Sequence, residues 1–302
     1  MQPPKNLLPY LDADILAYEI AASGEYVDDE GELQILPFTS IEPYFAERVA
    51  KLKHALDTIF EPIMFLSGET NFRDEVAQKK GYKANRDPSK KPFHLANARA
   101  YILGRYNTYI STGCEADDLL AIAQMESLEE TGFEPETAKT VIVTRDKDLR
   151  QCMGWHYGWE SGNQPEYKLR WVDKLGDLEA TYKEGVSPKT GKPTKRFHKL
   201  TGTGLKWLYA QCLLGDATDN IPGLPKFGPA KAFKLLEDCE TETELLDRTI
   251  GMYKERYGES WEKEFFEQMH LVYILQHRDK NGLVWWNYPE GYSHDIQTRG
   301  TD

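Results

Sequence analysis

Thr140-Val-Ile-Val-Thr144-Arg-Asp146-Lys-Asp148 sets an unbroken β-branched run immediately before two acids separated by one residue. β-branched side chains favour a pleated strand, so the acids mark the point where the chain leaves the sheet. The start of the chain repeats the arrangement, with an apolar run at 7–12 ending in Asp12 and a second acid at Asp14. Further β-rich runs stand at 62–67 and 107–111, and amphipathic stretches at 41–60 and 116–130 lie between the runs, the first entered by a Thr39-Ser-Ile-Glu42 capping box. This alternation predicts an α/β fold built on a parallel sheet.

The rest of the chain divides by composition. Asp28-Asp-Glu-Gly31 reads as an acidic hairpin. From 161 to 203 the chain is polar and rich in Gly, Lys, Pro and Thr, which predicts a mobile basic loop, about 183–204 at its most basic, with one strand at 167–172. Beyond it the pattern is helical, at 205–214, 229–237, a stretch opened by Thr241-Glu-Thr-Glu244, and 261–276. An α/β unit over 1–204 and a helical unit over 205–302 are therefore expected, with 293–302 as a frayed tail.

Hydrophobic residues make up 40% and aromatics 12% of the 302 residues, which fits a globular chain and excludes a disordered one. No apolar run approaches the ~20 residues that a bilayer crossing needs, and Met1-Gln-Pro-Pro-Lys5 does not build a signal peptide. A cytoplasmic, monomeric protein without membrane contact is expected. Cys114, Cys152, Cys212 and Cys239 are far apart, and no HxH or HxxxH spacing occurs, which argues against zinc. The net charge is -12, yet 71–110 and 183–206 are both strongly basic, and local fields decide what binds.

Acids recur at four places where an apolar run ends or a helix begins: Asp12 with Asp14, Glu115 with Asp117 and Asp118, Asp146 with Asp148, and Asp216 with Asp219. Each group alone fits capping or turn chemistry. In a parallel sheet, however, the carboxyl ends of the strands face one crevice, so all four can converge. That many carboxylates share a small volume only if cations neutralise them, and an all-oxygen set selects Mg²⁺ or Mn²⁺.

Between the second and third β-rich runs lie Arg73, Lys79, Lys80, Tyr82, Lys83 and Arg86, a cationic segment suited to a polyanionic strand. Tyr82 offers a face on which a base could stack, and Lys83 and Arg86 could meet one phosphate. Ile221-Pro-Gly-Leu-Pro-Lys-Phe-Gly228 forms a tight turn between two helices, spanning about 213–237. Its backbone N–H groups, with Lys226 and Lys231, suit non-specific grip on a DNA duplex.

Taken in order, Leu11-Asp-Ala-Asp14, Tyr82-Lys-Ala-Asn-Arg86, Glu115-Ala-Asp-Asp118, Thr144-Arg-Asp-Lys-Asp148, Gly215-Asp-Ala-Thr-Asp-Asn220 and Ile221-Pro-Gly223 through Gly228 resemble the flap endonuclease and 5′-3′ exonuclease family, particularly its bacteriophage members and the 5′-nuclease domains of bacterial DNA polymerases. The resemblance implies a PIN-like nuclease core, a helical arch over about 71–106, and a helix-three-turn-helix (helix-hairpin-helix) module. It implies two-metal hydrolysis of DNA near a 5′ end, with Asp12, Glu115, Asp117, Asp118, Asp146, Asp148, Asp216 and Asp219 as metal-site acids. Lys83 and Arg86 would contact the scissile phosphate, and Gly223, Leu224, Phe227 and Gly228 would lie where the family's hairpin backbone often holds potassium. The family usually has an Asp after the second strand, where this chain reads Phe65-Leu-Ser-Gly-Glu69. Either Glu69 substitutes or one ligand is absent. The stretch 161–203 matches no block of the family. A PIN-type ribonuclease and a non-catalytic DNA-binding protein are the rival readings.

Overall fold

The computed structural model describes residues 2–186 and 193–292. The chain opens with β1 (Leu8–Asp12) and α1 (Ala13–Ala22), then a hairpin of β2 (Glu25–Val27) and β3 (Leu33–Ile35). The acidic turn closes as the sequence suggests, with Asp28 accepting from the N–H groups of Glu30 and Glu32. Next come α2 (Phe38–Ile41), α3 (Pro43–Ala55), β4 (Ile63–Leu66), α4 (Arg73–Val76), α5 (Leu95–Arg105), β5 (Thr108–Ile110), α6 (Ala116–Thr131), β6 (Thr140–Val143), β7 (Gly154–Gly158) and β8 (Tyr167–Val172). The remaining elements are β9 (Leu178–Val186), β10 (Pro193–Gly202), α7 (Gly204–Leu214), α8 (Pro229–Leu236), α9 (Glu242–Tyr257), α10 (Trp261–Val272), β11 (Arg278–Asp279) and β12 (Gly282–Leu283).

The main sheet has the order β5-β4-β1-β6-β7-β8, parallel throughout except for β8. Alternate residues of its central strands enter different cores. Met64, Leu66, Val141 and Val143 pack with Leu16, Ile20, Phe45 and Ile102 of α1, α3 and α5. Phe65 and Ile142, between them, pack with Leu120 and Ala121 of α6. Burial on both faces explains why these strands read as unbroken apolar runs, and each such side chain contributes about 1.5–3 kcal/mol. A second core joins α7, α8, α9 and α10 around Tyr209, Leu213, Tyr253 and Phe265. No helix among the described residues is long and apolar enough to cross a membrane.

Four expectations need correction. The Thr39 capping box does not form: α2 takes Thr39 into its own short turn, and α3 begins at Pro43, whose missing N–H suits a first helical position. The helical arch is helical only at its ends, α4 and α5, apart from one 3-10 turn at Pro88–Lys90. Gly81, Pro88 and Pro92 interrupt it, and the segment is tied down on the 216–220 loop instead. Lys83 N–H donates to Asp219 O at 3.0 Å, and Asn85 Nδ2 to Ala217 O at 2.8 Å.

The expected mobile loop after β8 is a two-stranded antiparallel ribbon, β9–β10. Leu178, Ala180 and Tyr182 stand opposite Gly202, Leu200 and Phe197, and this alternating apolar face joins the helical core at α8. Residues 187–192 and the expected tail at 293–302 lie outside the described residues. Finally, α10 ends at Val272 rather than continuing to 276. The carbonyls of Leu271 and Tyr273 bond to Arg73, that of Val272 bonds to Gln151, and the Leu275 N–H donates to Asp118. These bonds hold the chain extended across the α/β core.

Candidate active site

β1, β4 and β6 end at one edge of the sheet, and the N-terminus of α6 opens onto the same edge. Asp12, the last residue of β1, is buried and caps α1 by accepting from the Ile15 N–H at 3.1 Å. The Thr144 hydroxyl at the end of β6 donates to the other Asp12 oxygen at 2.8 Å and accepts from the Asp146 N–H at 2.9 Å. Asp146 accepts in turn from the Asp148 N–H at 2.8 Å. One hydroxyl therefore fixes the turn after β6 to the acid that ends β1. Glu115 and Asp117 arrive from the start of α6. Asp216 and Asp219 arrive from the α7–α8 loop, where Asp216 pairs through its backbone with Ile221.

Titration reflects this convergence. Burial and Asp14 push the Asp12 carboxyl up to about 7, against the pull of its hydrogen bonds. Burial and Asp146 push Asp148 up to about 7, against Lys147. Burial raises Asp117 well above the carboxylate range, with Asp12, Asp146 and Glu115 adding to it. Burial likewise raises Asp146, and Asp219 contributes. Asp216 moves the other way: burial would raise it, but Lys147 and Thr218 hold it below its usual value.

The acids line two joined spaces. Asp12, Asp14, Lys83 and Arg86 face an open cleft of about 900 Å³. Asp148, Asp216 and Asp219 line a cavity of about 20 Å³ behind it, and Glu115, Asp117 and Asp146 border both. Among the described residues no three acids stand close enough to hold one ion as placed. Basic side chains sit between them instead. Lys83 pairs with Glu115 and stands 3.7 Å from Asp219, Arg86 reaches Asp219 at 2.5 Å, and Lys147 bridges Asp148, at 2.8 Å, and Asp216. Burial disfavours the Lys83 charge, but Glu115 and Asp219 outweigh burial and raise its pKa. Lys83 also holds a left-handed backbone, φ 53°, which is strained for a residue with a side chain. The donors are carboxylate oxygens, with no His or Cys in either lining, so the chemistry suits a hard divalent ion.

Several expected site residues have other duties. Asp118 is fully buried, bonded through both oxygens to the buried Arg73 at 2.6 and 2.8 Å, and accepts from the Glu115 and Leu275 N–H groups. With its oxygens so engaged it braces the helix start and is not available to a metal. The Tyr82 hydroxyl donates toward Glu115 at 2.8 Å and Asp219 at 3.0 Å, and its ring lies 4.9 Å from the Lys83 ammonium and 6.0 Å from Arg73, so it is bound into the acid site rather than presented to a base. Lys79 pairs with Glu264 and lies over Tyr257 at 4.5 Å, while Lys80 is exposed.

In the 221–228 turn, Gly223 and Leu224 are buried, and their N–H groups donate to Gln268 Oε1 and Leu213 O, each at 2.8 Å. They cannot meet a phosphate. Phe227 N–H donates to Leu224 O, and Gly228 O accepts from Lys231 and Ala232 at the start of α8. Lys226 and Lys231 are exposed and form no ion pair among the described residues. Glu69 is exposed, outside both linings. At the end of β4 the acid is Asp14, which accepts from the Ser67 N–H at 2.8 Å and pairs with Arg99.

Lys147, Thr144 and Gln211 received no site role from the sequence, and Arg73, expected to meet a polyanionic strand, instead holds Asp118. Lys147 stands between two motif acids, and Glu115 with Asp118 has capping-box spacing, so those two signals were readable. Gln211, which donates to Asp148 at 2.5 Å, left none.

No protein-family model matches the chain. Among curated proteins it is 32% identical over 136 residues to DNA polymerase I of Rhizobium leguminosarum and 30% identical over 190 residues to DNA polymerase I of Bacillus caldotenax. These alignments cover 45% and 61% of this chain but only 10% and 18% of the relatives, so the chain corresponds to a small part of each polymerase. The 5′-3′ exonuclease of Bacillus subtilis (strain 168) is 27% identical over 219 residues, 68% of this chain and 64% of the relative. The crystal structure of T5 D15 protein co-crystallised with metal ions shares the fold, with a TM-score of 0.51 at 12% identity over 88% of both chains. The chain is thus similar to a bacterial 5′-3′ exonuclease and to a small part of bacterial DNA polymerase I, proteins of the kind that its ordered acid blocks resemble.

Proposed function

We propose that the chain is a structure-specific 5′ nuclease, hydrolysing phosphodiester bonds near the 5′ end of DNA at ends, nicks or flaps, with two Mg²⁺ or Mn²⁺ ions. The observation that carries this reading is the sharing of Glu115, Asp117 and Asp146 between an open cleft and an inner cavity, each with further acids of its own. Asp12 belongs to the outer group, and Asp148, Asp216 and Asp219 to the inner. Divalent ions bound by these carboxylates would supply an activated water and stabilise the leaving 3′ oxygen.

The chain's own residues prepare that chemistry. Thr144 holds Asp12 and Asp146 in one frame. Divalent charge among the acids would displace the basic partners from them, and Lys83 and Arg86, at the cleft mouth, are then free to face the phosphate and offset its charge in the transition state. The strained backbone of Lys83 keeps its side chain over the acids rather than out in solvent.

The helical unit, from about 205, is the proposed duplex-binding part. Lys226, Lys231 and the start of α8 are its contact, and a potassium ion at the turn's carbonyl groups would serve the same grip. The deciding experiment is product mapping on blunt, nicked, gapped and 5′-flapped DNA with and without Mg²⁺, beside an RNA flap. Cleavage near the 5′ end of DNA that needs Mg²⁺ and is lost in Asp146→Asn is expected. Equal cleavage by the Asp146→Asn protein, or none on any DNA, would sink the reading.

A further inference from the structure

The β9–β10 ribbon carries its own charge pattern. Residues paired across the ribbon share a face, and the face opposite its apolar side bears Thr181 with Lys199 and Lys183 with Arg196. Two cations stand directly opposite one another at Lys183 and Arg196, an arrangement unfavourable to the ribbon itself. All three basic groups are exposed and form no ion pair among the described residues, although the chain carries a net charge of -12.

At the ribbon's base this face continues into a pocket of about 150 Å³ lined by Arg150, Tyr167, Arg170 and Thr201 together with two acids, Asp177 and Glu179. Arg150 lies 4.0 Å over the Tyr167 ring, and Arg170 stands 5.7 Å from the same ring. The nearest carboxylate to Arg170 is at 4.0 Å, on Glu179, and Arg150 has no ion pair among the described residues. The Tyr167 hydroxyl is buried without a hydrogen-bond partner. Among the described residues neither guanidinium is held in a close ion pair, so the two can turn together onto a phosphate oxygen and offset its charge in place of the distant acids. Arg150 sits on the same 3-10 turn as Asp148, Asp148–Gln151, so the pocket adjoins the acid site.

We infer that the Arg150–Tyr167–Arg170 pocket and the cationic face of the ribbon form one track for the phosphate backbone of the duplex arm of a DNA substrate, leading away from the acid site. The track rests on the nuclease reading for its substrate but not for its chemistry. The ribbon's apolar face is seated on α8, the helix that carries Lys231, so the track flanks the proposed duplex grip. Ionic contacts of this kind confer affinity without sequence preference.

The test is binding of a labelled 5′-flap duplex with Ca²⁺ in place of Mg²⁺, over a range of salt. The triple variant Lys183→Ala/Arg196→Ala/Lys199→Ala should bind about tenfold more weakly, with the log–log salt slope reduced by about one per lost contact. Arg170→Ala should lower the slope by about one. Lys183→Glu supplies a control on folding: it places an acid opposite Arg196, so the melting temperature should hold or rise while DNA binding weakens. If the wild-type protein cuts DNA and the triple variant keeps its affinity and slope, the track is overturned alone. If the variant loses affinity but the wild-type protein shows no Mg²⁺-dependent cleavage, the nuclease reading falls alone.

Discussion

Arg73 lies side-on to Asp118, its two terminal nitrogens 2.6 and 2.8 Å from the two carboxylate oxygens, with neither side chain open to solvent. Breaking such a buried pair costs about 3–5 kcal/mol, because the surviving charge is left without a partner. Asp118→Asn should therefore lower unfolding stability by about 3 kcal/mol. Asp117→Asn, which replaces a carboxyl that burial and neighbouring acids already push toward its neutral form, should leave stability equal or higher and abolish Mg²⁺-dependent cleavage. Denaturant melts of the two variants separate the roles, and wild-type stability in Asp118→Asn would refute the bracing role.

Lys83→Ala should reduce turnover on a 5′-flap by about 100-fold or more, as expected for losing a group that stabilises transition-state charge. Its affinity for the duplex should stay within about threefold, because Lys226, Lys231 and the ribbon remain. Single-turnover rates beside binding isotherms make the comparison. A loss of affinity with an unchanged rate would reassign Lys83 to substrate binding.

The metal-free protein should lose stability as pH rises. Asp12 and Asp148 are each pushed up to about 7 in the folded protein, above the ~4 of an unfolded aspartate. Between these values the folded chain binds more protons than the unfolded one, so their contribution is fully present below about pH 4 and is lost as pH passes about 7. Melting temperatures in EDTA should fall from pH 5 to pH 8, and Mg²⁺ should restore the high-pH values most, since it binds the ionised acids. A metal-free melting temperature that climbs over that interval would contradict the assignment.

Gly223 and Gly228 both belong to the 221–228 turn but should respond differently to alanine. Gly223 has φ +63°, and a Cβ there would stand 2.3 Å from the Leu214 carbonyl carbon. At Gly228 nothing lies within 4 Å. Gly223→Ala should cost about 2 kcal/mol or more, and Gly228→Ala less than about 1 kcal/mol. Urea midpoints measure both, and equal midpoints would show that the turn tolerates a side chain at 223.

The central strands β1, β4 and β6 were legible because their side chains are apolar on both faces, which leaves apolar runs in the sequence. The parallel strand β7, Gly-Trp-His-Tyr-Gly, carries no such run and was not expected. The acid blocks were legible because strand ends and a helix start need a polar residue in any case, and these repeat one chemistry at four of them. What the sequence hid depends on distant partners. Asp117 and Asp118 are neighbours, yet one borders the cleft and the other is closed off by Arg73 and by the Leu275 N–H. Tyr82 looked available to a base because Glu115 and Asp219, which hold its hydroxyl, lie far along the chain. The ribbon read as a loop because its Gly-, Lys- and Pro-rich composition masks an alternation whose apolar half has meaning only against α8.

The extended passage after α10 carries a consequence for synthesis. Asp118 and Gln151 receive their last bonds from residues near 272–275, some fifty positions after the final acid, Asp219, has been made. A nascent chain that already contains every acid still lacks the clasp that aligns the start of α6. On the proposed nuclease reading, a polypeptide under construction should remain unable to cut nucleic acid until this late segment has docked, which would spare any nearby DNA from a half-built enzyme.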